Sequence, residues 1–473
     1  MRSSYFGVIF AGIALSTASA LPALAQPFED VINHACETHP SIAAANINLF
    51  QADTRIQEAK SLYLPTIRSV SEAGIAEDKL PEGSGVSGSR PYSTQLILDQ
   101  PLYIGGRAGA EVDLAKRSRD GLRYQGISQV IDVQSRAVLA YIELGRTLAV
   151  LQVRGENLRA LKKQRDDSQR RFDLGGGTKS NIVEVEARIA RAEGNLISAR
   201  ADVNQARFTL GEAAGMYVEG DVAVPVSANT ASSFKIATET ALSKNPQILA
   251  ADQQIGIADA AIERAKSDRR PQLRLIGDLN AQRDTSFFGF ERDEARLRLR
   301  LDVPIFEGGR LDARQKGSIF EASRSRFDKA ALTRRVIEQL QSEWNSLKEA
   351  ERLLTVNRDL VQTSDQALQA ITREVFEGFR PNRDVLEAQQ ELLEAQLRLQ
   401  QSRFAVTQAS YRLQFAIGEI DEVRFPSCAK AVLKPDDPSL AKPVREDKIN
   451  LPVIGEIIGS EEGRRRRGPP NRR

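Results

Sequence analysis

From Arg107 to Phe172 the chain contains no proline, and apolar or small residues recur at alternating spacings of four and three: Ile127, Ile131, Gln134, Val138, Tyr141, Gly145 and Leu148. That spacing predicts a helix with a coiled-coil seam, diluted by Gln and Gly. The span from Arg310 to Phe376 has the same character and also lacks proline. At ~1.5 Å per residue each helix would reach about 100 Å, far too long for a compact globule. Both end in breakers, FDLGGGTKSN from Phe172 and FEGFRPNRD from Phe376. Shorter amphipathic stretches follow, about 178–215 and 381–418, and read as return helices. Two further helices are expected at about 40–63 and 246–270, so that two short helices stacked end to end match one long one. The last return helix carries a seam of Leu392, Leu399, Val406 and Leu413 interleaved with Gln396, Arg403 and Ser410. Such a mixed seam suits a wall with one wet side.

Between these helices the period changes. In ARLRLRLDVP, Leu297, Leu299, Leu301 and Val303 alternate with Arg296, Arg298, Arg300 and Asp302, the two-residue period of a strand. Tyr92, Thr94, Leu96 and Leu98 take the same places in an earlier segment. Hairpins are expected at 66–76 with 92–100, and at 272–282 with 293–303. Strands of this length with one apolar and one charged face suit a membrane barrel with a wet lumen, with Leu96, Leu98, Leu297, Leu299 and Leu301 toward lipid. A soluble half-buried hairpin is the alternative, but nothing else in the chain offers a sheet to cover those leucines. Four strands cannot close a barrel, and open edges in lipid leave backbone groups unpaired. Oligomerisation is therefore expected, with three copies giving twelve strands.

The elements recur because the sequence does. The stretch from His39 aligns without a gap on that from Asn245, matching Pro40 with Pro246, Ala59-Lys60-Ser61 with Ala265-Lys266-Ser267, and Pro65 with Pro271. Downstream, Ser180–Gly215 lies over Arg383–Gly418. Between them stand PLYIGGR from Pro101 and PIFEGGR from Pro304. These heptamers read as two strand-to-helix joints: Pro101 and Pro304 end the ladder, and Gly105, Gly106, Gly308 and Gly309 permit a sharp swivel. The expected division is a signal peptide at 1–25, a first repeat at 26–225, a second at 226–430, and a C-terminal extension at 431–473.

Composition fixes the compartment. An apolar run after Arg2 and the small-x-small site Ala23-Leu24-Ala25 read as a secretory signal. No later apolar run approaches the ~20 residues of a spanning helix. The six arginines of the tail at 464–473 exceed the formal charge of +3. The remainder is thus slightly acidic, with no global basic field for nucleic acid, and the tail reads as disordered. Cys36 and Cys428 are the two cysteines. A bridge would tie the chain ends together in an exported protein; two unpaired thiols are the alternative.

Through the paired repeats, the two P-x-x-x-G-G-R joints and RDVLEAQ at 383–389, the chain resembles the TolC family of outer-membrane efflux and secretion ducts. The resemblance covers roughly 27–430. It implies a mainly α fold with membrane β: a long coiled-coil tunnel crossing the periplasm plus four strands per chain in a homotrimeric twelve-stranded barrel. It also implies equatorial regions near 216–240 and 419–445, and no catalysis or cofactor. Energy and substrate choice would come from a periplasmic membrane-fusion adaptor and an inner-membrane transporter of the RND or ABC type. An acidic pair at the tunnel entrance falls on Asp384 and Glu387, and an entrance-closing arginine on Arg380. Asn181 and Val375 depart from the acidic residue and tyrosine found there in members of the family. The tips, Gly175, Gly176, Gly177, Gly378 and Phe379, are expected to meet the adaptor.

Other chemistries find little support. GGGTKS at 175–180 lacks phosphate-loop spacing and follows a helix. His34, Cys36 and His39 offer no fourth metal ligand, and two histidines near the chain start supply no hydrolase base. The expected function is a passive outer-membrane exit duct; a poreless periplasmic coiled-coil scaffold is the alternative.

Overall fold

The computed structural model describes residues 27–79, 86–220, 222–223, 225–283 and 291–431. The signal segment, the extension from residue 432 and its arginine-rich end lie outside the described residues. In chain order the elements are α1 (Phe28–Thr38), α2 (Pro40–Ser61), β1 (Thr66–Ala73), β2 (Ala76–Lys79), β3 (Val86–Ser89), β4 (Tyr92–Ile104), α3 (Arg107–Asp173) and α4 (Lys179–Ala214). Then come α5 (Phe234–Lys244), α6 (Pro246–Ser267), β5 (Gln272–Arg283), β6 (Arg292–Asp302), α7 (Arg310–Phe376), α8 (Asn382–Ile417) and α9 (Pro426–Lys430). Each long helix has 67 residues, about 100 Å at ~1.5 Å per residue. No described helix is long and apolar enough to cross a membrane.

β1, β4, β5 and β6 form one antiparallel sheet in that order. Its register fixes two chemically different faces. Ile67, Leu98, Gly277 and Leu297 lie in one cross-strand row, Leu275 faces Leu299, and Leu273 faces Leu301. On the other face, Arg68, Ile97, Asp278 and Arg296 share a row, and Arg298 reaches Asp278 at 2.9 Å. Leu297 is 72 % exposed, and Leu96, Leu299 and Leu301 are exposed as well, while Leu98 is half-buried. An exposed leucine face opposite a charged one suits a wall between lipid and water.

Two details depart from the sequence reading. Pro101 does not end the ladder: β4 continues to Ile104, with a register shift between Pro101 and Tyr103. A bulge accommodates a residue that has no N–H to donate. Pro304, by contrast, lies beyond the end of β6. The first hairpin also extends past Gly74, whose N–H bonds to the Pro91 carbonyl at 3.0 Å, into a separate β2–β3 ribbon.

The joints are glycine-built. Gly105, Gly106, Gly308 and Gly309 have φ of 65°, 86°, 59° and 82°, a left-handed backbone that costs other residues ~1–2 kcal/mol each. Gly105 is also sterically required, since a Cβ there would fall 2.5 Å from the Ser267 carbonyl oxygen.

Halfway along the helices lies the main apolar core. Phe28, Val31, Ile32, Ala35 and Cys36 of α1 meet Tyr141 and Leu144 of α3, Leu210 of α4, Tyr411 of α8 and Phe425. Arg424 stacks over the rings of Phe28, Tyr411 and Phe425 and pairs with Glu29 at 2.8 Å. Burial pushes the Tyr411 phenol well up from its usual range; its hydroxyl donates to the Val226 carbonyl at 3.1 Å. Cys36 and Cys428 form a disulfide that ties α9 to α1 across 392 residues of sequence. In the second half, α5 covers α7 and α8 through Ala237, Ala241, Leu340 and Leu413.

Candidate functional site: the helical tips

At the end of the helices far from the sheet, both hairpins turn by the same device. In the first, the Gly176 N–H bonds to the Arg171 carbonyl at 2.8 Å and the Gly175 N–H to that of Phe172 at 2.9 Å. In the second, Phe379 bonds to Glu374 at 2.9 Å and Gly378 to Val375 at 3.2 Å. This six-to-one and five-to-two pattern closes a helix when the next residue is left-handed, as Gly175 and Gly378 are at φ 79° and 84°. Gly177 is held tightly, since a Cβ would lie 3.1 Å from the Phe172 nitrogen. Leu174, Phe376 and Phe379 are exposed at these turns, an apolar patch at the far end of a polar rod.

The acidic pair sits in the first turns of α8. Asp384 and Glu387 are one helical turn apart, and each meets an arginine of its own chain. Arg380 reaches Asp384 at 3.4 Å and Glu374 at 2.5 Å, so it ties the end of α7 to the start of α8. Arg383 lies 3.2 Å from Glu387. Both members of that second pair are largely exposed, and pairs of this kind are worth only ~0.2–1 kcal/mol. Asp384 is the less exposed of the two carboxylates, with a half-buried side chain.

The two halves meet just above the turns. Gln164 of α3 donates to Asn382 of α8 at 3.3 Å, and Arg188 of α4 donates to the Leu386 carbonyl at 3.0 Å. Leu386 itself is buried among Leu158, Leu161, Val185 and Ile189. Arg188, Leu386 and Glu374 escape sequence reasoning because their partners lie across turns or on another helix. Arg383 was accessible, since it precedes Glu387 by four residues. Thr178 caps α4 by accepting from the Asn181 N–H at 3.4 Å, so the backbone of Asn181 takes part in the helix start.

A family model described as outer membrane efflux protein matches residues 31–216 and 237–419. The chain is similar to the outer membrane efflux protein BepC of Brucella suis, 27% identical over 385 residues that span 80% of this chain and 83% of BepC. It is similar also to the alkaline protease secretion protein AprF of Pseudomonas aeruginosa, 24% identical over 347 residues and 70% of each chain. Among solved structures, CusC aligns with a TM-score of 0.75, covering 84% of this chain and 93% of CusC at 15% identity, a likeness of fold. With its leucine-faced sheet, its long helical hairpins and a family match over most of its length, the chain belongs to the outer membrane efflux protein family of outer-membrane channels.

Proposed function

We propose that three copies assemble into a channel-tunnel that serves as the passive exit duct of a tripartite efflux pump or a type I secretion system. The observation that carries this reading is a sheet exposed on both faces, with leucines on one side and ion pairs on the other, and with open edges at β1 and β6. Neither edge can stay open in lipid, and twelve strands give a barrel wide enough for an aqueous lumen. The helices match this need. Twenty-one residues of α3 are buried against seven of α7 among the described residues, which leaves α7 with a face for a neighbour. The exposed apolar turns at Phe376 and Phe379 suit a periplasmic membrane-fusion adaptor, which would link the duct to an inner-membrane transporter of the RND or ABC type. Relatives of both kinds, an efflux protein and a protease secretion protein, leave the cargo to those partners.

Planar-bilayer recording tests the duct. Purified protein should run as a heat-labile trimer in detergent and give stepwise conductance. An elongated, water-soluble monomer without conductance would overturn the proposal and favour a poreless scaffold.

A further inference from the structure

The contact between α3 and α6 inside one chain specifies how the open face of α7 is covered. We propose that α7 packs on α2 of a second copy, with Arg314 against the partner's Glu58 and Phe320 against the partner's Phe50. This rests on the assembly argued above and names the seam that holds it.

The two halves are equivalent residue by residue. α2 and α6 both have 22 residues and begin at Pro40 and Pro246; α3 and α7 both have 67 and begin at Arg107 and Arg310. The sheet keeps the same equivalence, since Thr66 faces Asp99 in the first hairpin as Gln272 faces Asp302 in the second. Any contact between α6 and α3 therefore has a counterpart between α2 and α7, which no single chain can make.

Within one chain, α6 meets α3 at three matched points. Arg264 pairs with Glu111 at 2.9 Å. Arg117 lies across Gly256, where a Cβ would fall 2.5 Å from its Nη1, and Gly105 rests on Ser267. The counterparts on α2 are Glu58 for Arg264, Phe50 for Gly256 and Ser61 for Ser267. On α7 and its joint they are Arg314 for Glu111, Phe320 for Arg117 and Gly308 for Gly105. Most of these positions stand open in one chain: Phe320 and Glu58 are exposed, Phe50 is half-buried, and nothing lies within 4 Å of a Cβ built on Gly308.

Both surfaces have changed together. The Arg264–Glu111 ion pair becomes Arg314 with the partner's Glu58, attractive still but reversed in sign. The Arg117–Gly256 contact becomes an aromatic pair, Phe320 with the partner's Phe50. Reversal makes the seam selective, because α7 against α6 in this register would oppose Arg314 and Arg264, and α3 against α2 would oppose Glu111 and Glu58. Arg314 also holds Asp268 of its own chain at 2.8 Å, so it would bridge two carboxylates, much as Glu111 contacts both Arg264 and Arg107. Carried to the strands, the in-chain pairing of Ile97 with Asp278 places Arg300 opposite the partner's Glu72, a further charge pair on the charged face.

Charge exchange in the full-length protein tests the seam. E58R and R314E should each lower the temperature at which the detergent-solubilised trimer dissociates, and the double variant E58R/R314E should recover most of the loss. Both changes lie on exposed side chains. Because R314E also gives up the in-chain pair with Asp268, recovery in the double variant is read against R314E alone, and Arg314→Gln, which carries no like charge to Asp268, separates the two losses. The cysteine pair Glu72→Cys with Arg300→Cys should oxidise to covalently linked subunits, whereas Val70→Cys with Arg300→Cys, one register step away, should not. Unchanged dissociation in both single variants, no recovery in the double, or crosslinking at Val70 instead of Glu72 would overturn the seam. A wild-type chain that never forms a trimer would instead overturn the duct on which the seam rests.

Discussion

Leu297 is the middle residue of β6, an eleven-residue strand. At ~3.3 Å per residue and a tilt of about 40°, such a strand rises roughly 28 Å, close to the apolar band of a membrane barrel. In the proposed barrel Leu297 would therefore sit near the bilayer midplane; in the single chain it is exposed on the leucine face opposite Gly277. An arginine on the lipid face at that depth costs ~2–4 kcal/mol per chain, or about 6–12 kcal/mol for three, comparable with the whole stability of a typical domain of ~5–15 kcal/mol. Leu297→Arg should accordingly abolish most heat-modifiable trimer in outer-membrane fractions. It should also lower sharply the urea midpoint of whatever protein folds into lipid vesicles. Its neighbour Arg296 points to the other face and pairs with Glu294. Because exposed ion pairs contribute ~0–1 kcal/mol, Arg296→Gln should leave both measurements near the wild type. If Leu297→Arg is tolerated, or if Arg296→Gln is as damaging, the leucine face does not meet lipid and the barrel reading fails.

Replacing Asp384 and Glu387 together with alanine should remove most of the block of conductance by multivalent cations added from the periplasmic side, with trimer yield unchanged; full retained sensitivity would locate the constriction elsewhere. Arg380→Ala should raise basal conductance in single-channel recordings by releasing the link between α7 and α8, and an unchanged open probability would deny it a closing role. His39 caps α2 by accepting from the Ser41 N–H at 3.2 Å, and burial followed by nearby Arg136 holds its imidazole below the usual value. That contribution is complete above the unfolded value of ~6.5 and is lost as pH falls below it, so thermal stability should fall as pH is lowered through and below about 6.5, and His39→Asn, copying the cap Asn245 makes in the second half, should remove that share of the drop. Gly105→Ala combines a left-handed backbone with a 2.5 Å clash and should destabilise by more than the ~1–2 kcal/mol of backbone strain alone, whereas Gly155→Ala, in open space within α3, should be neutral or stabilising by denaturant titration.

The long helices and the strands were legible because each is a periodic signal sustained over many residues, and the joints because glycine pairs have few other uses. Where periodicity is short or contacts are distant, less could be read. In α1, Phe28, Val31, Ile32, Ala35 and Cys36 have helical core spacing, but eleven residues between a signal-like segment and Pro40 are too few turns for that period to stand out, and the helix was not expected. The pairing of Cys36 with Cys428 could not be decided, because their closeness depends on how α9 returns to α1. At the tips, the identities of Asp384, Glu387 and Arg380 pointed to electrostatics, and Arg380 and Arg383 each precede one carboxylate by four residues, yet the sequence did not show that Arg380 also reaches Glu374 across the turn. Pro101 misled because a proline that ends most ladders can also occupy a bulge within one.

Unequal burial of two helices with equivalent sequences follows from where a duplicated unit is cut. Inside one chain, α3 stands between the two halves and is covered by α2, α4, α6 and α8, whereas α7 has α6 and α8 with little beyond them. A chain built from two similar units keeps one junction internal and leaves half of a junction at each end, α7 with β6 on one side and α2 with β1 on the other. Such ends are heterologous, and a head-to-tail contact of this kind closes into a ring when its rotation allows. In the proposed seam the internal α3–α6 junction would set that rotation, because the external junction would repeat its geometry. Six equivalent units, two per chain, would then each turn the wall by about a sixth of a circle. Phe320 and Phe327 of α7, exposed where their counterparts in α3 are Arg117 and Tyr124, show where the two junctions have diverged. The one inside the chain relies on covalent linkage to keep its halves together, so arginine over glycine suffices. The one between chains must bring its own surfaces together, and aromatic area is the stronger means of doing so.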